Sequence, residues 1–310
     1  MSDAAVRVEG LTRRFGTLMA VDGIRFAVEP GELFGLVGPD GAGKTTTLRM
    51  LAGVLPPSGG DARIEGISVV GDPEGVKHDT AYMSQRFGLY TDLTVLENLT
   101  FYADLYQVPA VERAARLKRL FHFSNLEPFQ HRPAGKLSGG MKQKLGLSCA
   151  LIHQPSVLLL DEPTFGVDPI SRRDLWLIIH EMVAERVTVV VSTAYMDEAE
   201  RFDRLAMLHE GRVLEMGSPD ELRSGFEGEL VAFRVDRVRE ARRRALEEPR
   251  VRRAIVFGDT LHVTVASALE DSPVVEASLR EAGLSIESFE AIPPSLEDVF
   301  IAAITRAEKG

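Results

Sequence analysis

GLVGPDGAGKTTT, residues 35–47, sets an apolar lead ahead of three closely spaced glycines, a lysine and three threonines. Within it, Gly38-Pro-Asp-Gly-Ala-Gly-Lys44-Thr45 fits G-x-x-x-x-G-K-[ST] and lies between a predicted strand, LFGLV (33–37), and a predicted helix, TTTLRMLAG (45–53). That context is the one a phosphate-cradling loop requires. Glycine lets the chain curl until backbone N–H groups face inward, and the helix start adds positive potential. Gly38, Pro39, Asp40, Gly41, Ala42 and Gly43 form the expected cradle, with Thr46 in the first helical turn. Lys44 is expected to reach the β- and γ-phosphates, and the Thr45 hydroxyl to ligate Mg²⁺.

Outward from this loop the chain alternates strand-like and helix-like segments. LFGLV, SVLLL (156–160) and VTVVVS (187–192) are nearly continuous apolar runs, as in strands covered on both faces. The rhythm predicts an α/β domain on a mainly parallel sheet. SVLLLDEP ends in Asp161 and Glu162. Asp161 is placed to hold the Mg²⁺ shell, directly or through water, and Glu162 to orient or polarise an attacking water.

SGFEGE (224–229) marks a break, so residues 1–225 read as a nucleotide-binding domain and 229–310 as a small α+β accessory domain. There a strand (LVAFRV) and a helix (VREARRRALEE, 238–248) precede two strands, AIVFG and TLHVTV. A helix opened by Asp271, Ser272 and Pro273 and closed by Gly283 follows, then a strand and a last helix from Ser295. The order β-α-β-β-α-β suggests a ferredoxin-like unit. Residues 234–253 hold nine Arg against four acidic residues. That run reads first as a solvated helix face, with anionic lipid headgroups as the sharper alternative.

Composition sets bounds on these readings. A chain of 310 residues has room for one large domain and a small one. A net charge of -10 argues against a coat for nucleic acid, and no nucleic-acid partner is expected. The single cysteine, Cys149, excludes an internal disulfide and reads as a core filler. MSDAAVRVEG lacks the basic start and apolar run of a secretory signal. No window approaches the ~20 apolar residues of a membrane span, so a soluble chain is expected, with a partner for any work at a membrane. The histidines show no HExxH-like spacing, which disfavours zinc.

KLSGGMKQKLGLS (136–148) decides among the many users of such a loop. Here the chain resembles the ATP-binding-cassette ATPases, whose diagnostic motif is LSGGQ, over about 220 residues. The resemblance implies a P-loop core with an antiparallel β subdomain and a helical subdomain. It implies that Phe15 stacks on adenine, that Gln85 senses Mg²⁺ and contacts a membrane subunit, and that Asp168 lies at a dimer interface. Ser138, Gly139 and Gly140 make physical sense as a second phosphate contact, a hydroxyl and bare N–H groups at a helix start. In the family this motif caps ATP bound by another chain, so two chains complete each site, as a homodimer or a heterodimer.

Met141 replaces the last glutamine of the motif but spares the Ser and Gly donors. Asp40 stands where asparagine is usual and adds negative charge near the triphosphate. In STAYMDEAE (192–200), Ala194 occupies the place of the family's switch histidine, predicting slow hydrolysis and pairing with a complete cassette. LSGGMKQKLGL, STAYMDEAE and PPSLEDVFI (293–301) are most similar to ATPase subunits of type-2 exporters, including the drug- and antibiotic-efflux branch. Such subunits sit on the cytoplasmic face of the bacterial inner membrane under a separate permease that moves drugs, lipids or polysaccharides. Segment 86–100 would form much of the groove for the permease's coupling helix. Two other readings are a soluble cassette ATPase and an ATP-gated assembly subunit with weak hydrolysis. The compact interval from Lys44 to Ser138 disfavours the repair-type soluble form.

Overall fold

The computed structural model describes residues 4–85 and 88–308. They fall into two units, Met1–Pro219 and Asp220–Gly310. The first begins with the hairpin β1 (Val6–Phe15) and β2 (Leu18–Val28), followed by β3 (Leu33–Val37) and α1 (Lys44–Leu51). Next come β4 (Gly59–Ile64), β5 (Ile67–Ser68), α2 (Pro73–Asp79) and β6 (Thr80–Met83). Three helices follow, α3 (Val95–Leu105), α4 (Ala110–Ser124) and α5 (Gly139–Leu151). The unit closes with β7 (Val157–Asp161), α6 (Pro169–Ala184), β8 (Thr188–Thr193), α7 (Met196–Ala199) and the hairpin β9 (Arg204–His209) and β10 (Arg212–Gly217).

Its central sheet runs β10-β9-β3-β8-β7-β6, parallel except for β10. Every residue of β3, β7 and β8 is buried, as their continuous apolar runs predict. Each fully buried Leu, Val or Phe there stabilises the sheet by about 1.5–3 kcal/mol. A separate antiparallel sheet, β2-β1-β4-β5, packs its apolar face into the same core, where Val6, Leu11 and Ile64 meet Leu48 and Leu51 of α1. Because β7, β8 and β3 lie side by side, their carboxyl ends are brought together, the place where open α/β sheets bind ligands. Cys149 is fully buried in α5, and burial pushes its thiol pKa up, so it fills the core as a neutral group.

α8 (Pro219–Ser224) spans the division. In the second unit β11 (Glu229–Val235), α9 (Val238–Ala245), β12 (Arg253–Phe257), β13 (Thr260–Val265), α10 (Ala268–Glu281), β14 (Ile286–Ile292) and α11 (Leu296–Ala307) follow in order. The sheet, β12-β13-β11-β14, is antiparallel throughout, so the strands of the two β-α-β units interleave. Val231, Phe233, Leu261 and Val263 point to one face and pack with Ala241, Val275 and Leu279 of α9 and α10. Several of the arginines in 234–253 make local bonds: Arg242 donates to the Ala254 carbonyl at 3.0 Å, Arg250 pairs with Asp271 at 3.0 Å, and Arg244 with Glu247 at 2.8 Å. This is the pattern of a solvated helix face.

The helix expected to open at Asp271-Ser272-Pro273 starts earlier. Ser267 is its N-cap, accepting from the Glu270 N–H, while Asp271 accepts from the Ser267 N–H at 3.1 Å. This reciprocal capping fixes the start and leaves Pro273 inside α10, where it cannot donate to the Leu269 carbonyl. Pro273 therefore does not mark the boundary.

His262 lies between Leu261 and Val263, so it projects from the opposite face, where its Nδ1 meets Asp298 of α11 at 3.0 Å. Burial alone would raise the Asp298 pKa, but bonds from His262 and Ser295 outweigh it and hold the carboxyl below its ordinary 3.8. A depressed carboxylate stabilises the fold above its unfolded pKa and loses that contribution as pH falls through the depressed value. Asp298→Asn should therefore lower stability at pH 7 by roughly 1–3 kcal/mol. It should also flatten the loss of stability below about pH 4, both read from urea midpoints against pH.

Candidate nucleotide-binding site

The 35–47 stretch folds as its spacing predicts. β3 ends at Val37, the loop follows, and α1 starts at Lys44. Gly43 caps the helix at φ +101°, and a Cβ there would lie 2.5 Å from the Ala20 carbonyl oxygen, so only glycine closes this turn. The Lys44 ammonium is buried at the loop's centre, donating to the carbonyls of Gly38 at 2.7 Å and Pro39 at 3.0 Å. The loop opens onto a cleft of ≈ 720 Å³ whose floor is Gly41 to Thr46 and whose walls include Phe15, Gln85 and Glu162. Asp40 is exposed at its rim. Phe15 is 45% exposed beside the hairpin turn, with the Arg13 guanidinium 4.6 Å over its ring, leaving an aromatic surface for a flat base.

The two acids at the end of β7 have different surroundings. Asp161 is buried and accepts from three hydroxyls: Thr45 at 2.9 Å and Ser192 at 2.7 Å on Oδ1, and Tyr82 at 3.2 Å on Oδ2. Burial, with the Asp161 charge next in weight, pushes the Tyr82 hydroxyl up to about 12, so it stays a donor. Glu162 pairs with the Lys44 ammonium at 3.3 Å through Oε1 and accepts from the Gln85 amide at 2.9 Å through Oε2. Its backbone sits at φ +48°, a left-handed conformation costing about 1–3 kcal/mol in a non-glycine residue. The Thr45 hydroxyl and Asp161 carboxylate offer hard oxygen donors in contact, a set that fits Mg²⁺.

The structure thus brings Phe15, the loop, Gln85 and Glu162 around one cleft, with Asp161 directly behind Thr45. Ser138, Gly139, Gly140 and Asp168 do not line it. Ser138 is exposed at the start of α5, where its hydroxyl accepts from the Met141 N–H at 3.3 Å. Asp168 caps α6, accepting from the Ser171 N–H at 3.0 Å, and these bonds hold its carboxyl below the usual range. A Cβ on Gly140 would lie 2.1 Å from Ser171 Oγ, so the starts of α5 and α6 touch.

A smaller groove of ≈ 250 Å³ places Gln85, Leu89 and Thr91 opposite Gly139, Lys142 and Gln143. Arg86 and Phe87 of segment 86–100 lie outside the described residues. In the rest, buried Asn98 donates to the carbonyls of Tyr90, Leu93 and Thr94, holding the loop before α3. Tyr90 is 48% exposed and packs edge-on against Phe101.

Ala194 follows β8 and has no polar side chain to offer the cleft. The segment after it is anchored by Glu198, a buried carboxylate accepting from Thr193 and Thr164 at 2.7 Å each and from the Trp176 indole at 3.3 Å.

Three contributors escaped the sequence reading. Ser192 and Tyr82 reach Asp161 from neighbouring strands, and nothing in their local sequence marks them. Glu210 lines the cleft from the turn between β9 and β10. Glu210 and Gly211 both have positive φ, the signature of a type I′ hairpin turn, and the Gly211 N–H donates to the Ala42 carbonyl at 3.1 Å. The Glu-Gly pair between two strands was the available signal.

A strand-end glycine loop with a buried lysine, a hydroxyl–carboxylate pair and a flanking aromatic defines a P-loop nucleotide-binding cassette. The profile of the ABC transporter family matches residues 21–165, and that of the ATP-binding protein DrrA1-3-like, C-terminal domain, matches 217–304. The chain is 41% identical over 305 residues to "Probable multidrug ABC transporter ATP-binding protein YbhF" of Escherichia coli strain K12, covering 97% of this chain and 52% of YbhF. It therefore spans about half the length of that relative. It is 36% identical to the Nod factor export ATP-binding protein I of Paraburkholderia xenovorans strain LB400, covering 97% of each. The dimeric post-hydrolysis structure of the ATP-binding cassette MJ0796 with ADP and Pi superposes with a TM-score of 0.63 at 25% identity, over 69% of this chain and 98% of that one. The chain belongs to the ATP-binding proteins of the ABC transporter family. Among the described residues no helix is long and apolar enough to cross a membrane.

Proposed function

We propose that this chain is the ATP-hydrolysing subunit of an exporter whose membrane-spanning permease is a separate protein, working through ATP-dependent dimerisation. The observation that supports this most directly is the division of the motifs. Phe15, Lys44, Thr45, Gln85 and Glu162 share one cleft, whereas Ser138 is exposed outside it. In this reading the Ser138–Gly140 helix start caps the triphosphate held by a second cassette, and Asp168 lies on the same interface.

Gly38 to Thr46 hold the phosphates, Lys44 leaving Glu162 and its two carbonyls for the β- and γ-phosphate oxygens. Thr45 and Asp161, with Gln85 beside them, would hold Mg²⁺, which neutralises phosphate charge when bound. Glu162 orients the attacking water and takes its proton at the carboxylate. The groove beside Gln85 and the exposed Tyr90 receive the permease's coupling helix, placing the chain on the cytoplasmic face of the membrane. The names of the relatives, a multidrug transporter and a Nod factor exporter, favour export. The absent imidazole at Ala194 favours a second reading, a weakly hydrolysing cassette paired with a complete one.

Complementation tests the shared site. Lys44→Ala empties the loop, and Ser138→Arg blocks the cap. Neither variant should self-associate in MgATP, while a tagged Lys44→Ala chain should capture Ser138→Arg, since that pair retains one intact site. Wild-type chains that pair while the mixture does not would defeat the two-chain geometry.

A further inference from the structure

We infer that Ser192 is a positioning residue that locks the Asp161 carboxylate and the Glu162 backbone into one register. The inference rests on the nucleotide-site reading above and extends it to Ser192, which opens the STAYMDEAE stretch and has no role in that reading. Ser192 is fully buried near the end of β8, directly opposite Asp161 in the parallel β7–β8 register. Its Oγ donates to Asp161 Oδ1 at 2.7 Å and accepts the Glu162 N–H at 3.1 Å. The same N–H reaches the Ser192 carbonyl at 3.1 Å. One oxygen thus acts as donor to the first acid and acceptor from the second, and among side chains of this size only a hydroxyl does both strongly.

Two features make the lock matter to the chemistry. Glu162 is held at φ +48°, and its side-chain direction depends on a backbone that relaxes unless something fixes it. Ser192 grips that backbone at its N–H. Asp161 Oδ1 is also shared between Ser192 and Thr45. When the Thr45 hydroxyl turns to a cation, Oδ1 keeps its bond from Ser192 and Oδ2 keeps the Tyr82 hydroxyl at 3.2 Å, so the carboxylate holds its aim. Ser192 touches neither nucleotide nor cation and acts through its two neighbours.

The test compares Ser192→Ala, Ser192→Thr and Ser192→Val in the full chain. Affinity for a fluorescent ATP analogue is measured in EDTA and across a Mg²⁺ titration, beside kcat, KM and the thermal midpoint. Ser192→Ala should bind nucleotide in EDTA within about twofold of wild type, raise half-saturating Mg²⁺ about tenfold and lower kcat about tenfold at little-changed KM. Ser192→Thr should restore both to within about threefold, and Ser192→Val, the shape of threonine without its oxygen, should not. The proposal is overturned if Val matches Thr, if Ala matches wild type, or if affinities with and without Mg²⁺ fall together. Should the alanine variant fail to fold, the Thr–Val comparison decides. A wild-type chain that binds no nucleotide removes the underlying site reading instead.

Discussion

Glu162→Gln should stop turnover while leaving the nucleotide bound. The amide keeps an oxygen for the Gln85 bond, now 2.9 Å long, but it cannot take a proton from water. Loss of a general base costs about 10²–10⁴-fold in rate. Binding should hold or tighten for a separate reason. Glu162 pairs with the Lys44 ammonium at 3.3 Å with both side chains largely buried, and neutralising the acid frees that cation for phosphate. Backbone strain at φ +48° is the same for Gln as for Glu, so the fold should be unaffected. The expected result is a MgATP-dependent shift to dimer in gel filtration, with phosphate release near background. A variant that still hydrolyses at the wild-type rate would remove Glu162 from the chemistry. A variant whose association and turnover differ little from wild type would favour the weakly hydrolysing assembly role.

Ala194→His is expected to act in the opposite direction. Ala194 follows Thr193, whose hydroxyl bonds Glu198 at 2.7 Å and accepts from the Tyr195 N–H at 3.0 Å, so the backbone on both sides is already held. Ala194 is only half-buried, and an imidazole there need not be forced into the core. One well-placed donor to developing charge contributes roughly 3 kcal/mol, so kcat should rise by about 10²-fold. KM for ATP should change far less. Steady-state phosphate release by the two proteins, at saturating MgATP, measures the difference. An unchanged kcat would mean that the γ-phosphate already receives its donor from elsewhere.

Much of the site was legible because its motifs are local. The phosphate loop, the acid pair at the end of β7 and the helix start at Ser138 each declare themselves within eight residues, and their chemistry follows from side-chain type. The apolar runs of β3, β7 and β8 announced strands covered on both faces. What could not be read was adjacency. Ser192 looked like the end of an apolar strand. It acquires a role only because β8 lies between β3 and β7, an order no local pattern specifies. Tyr82 likewise depends on β6 pairing with β7. The start of α10 differs from the expectation for another reason: two capping signals compete, and the reciprocal bonds at Ser267 and Asp271 outweigh the boundary signal of Pro273.

The chain has a single tryptophan, and its indole donates to Glu198, the carboxylate that also accepts from Thr164 and Thr193. Thr164 sits three residues after Asp161, and Thr193 follows Ser192. The fluorophore thus borders the Glu198 carboxyl, which lies 3.8 Å from the Arg172 guanidinium and is also tethered by the two segments flanking the acids. Displacement of either one alters the electrostatic field at the ring, giving the molecule an intrinsic, label-free optical gauge of its own reactive end.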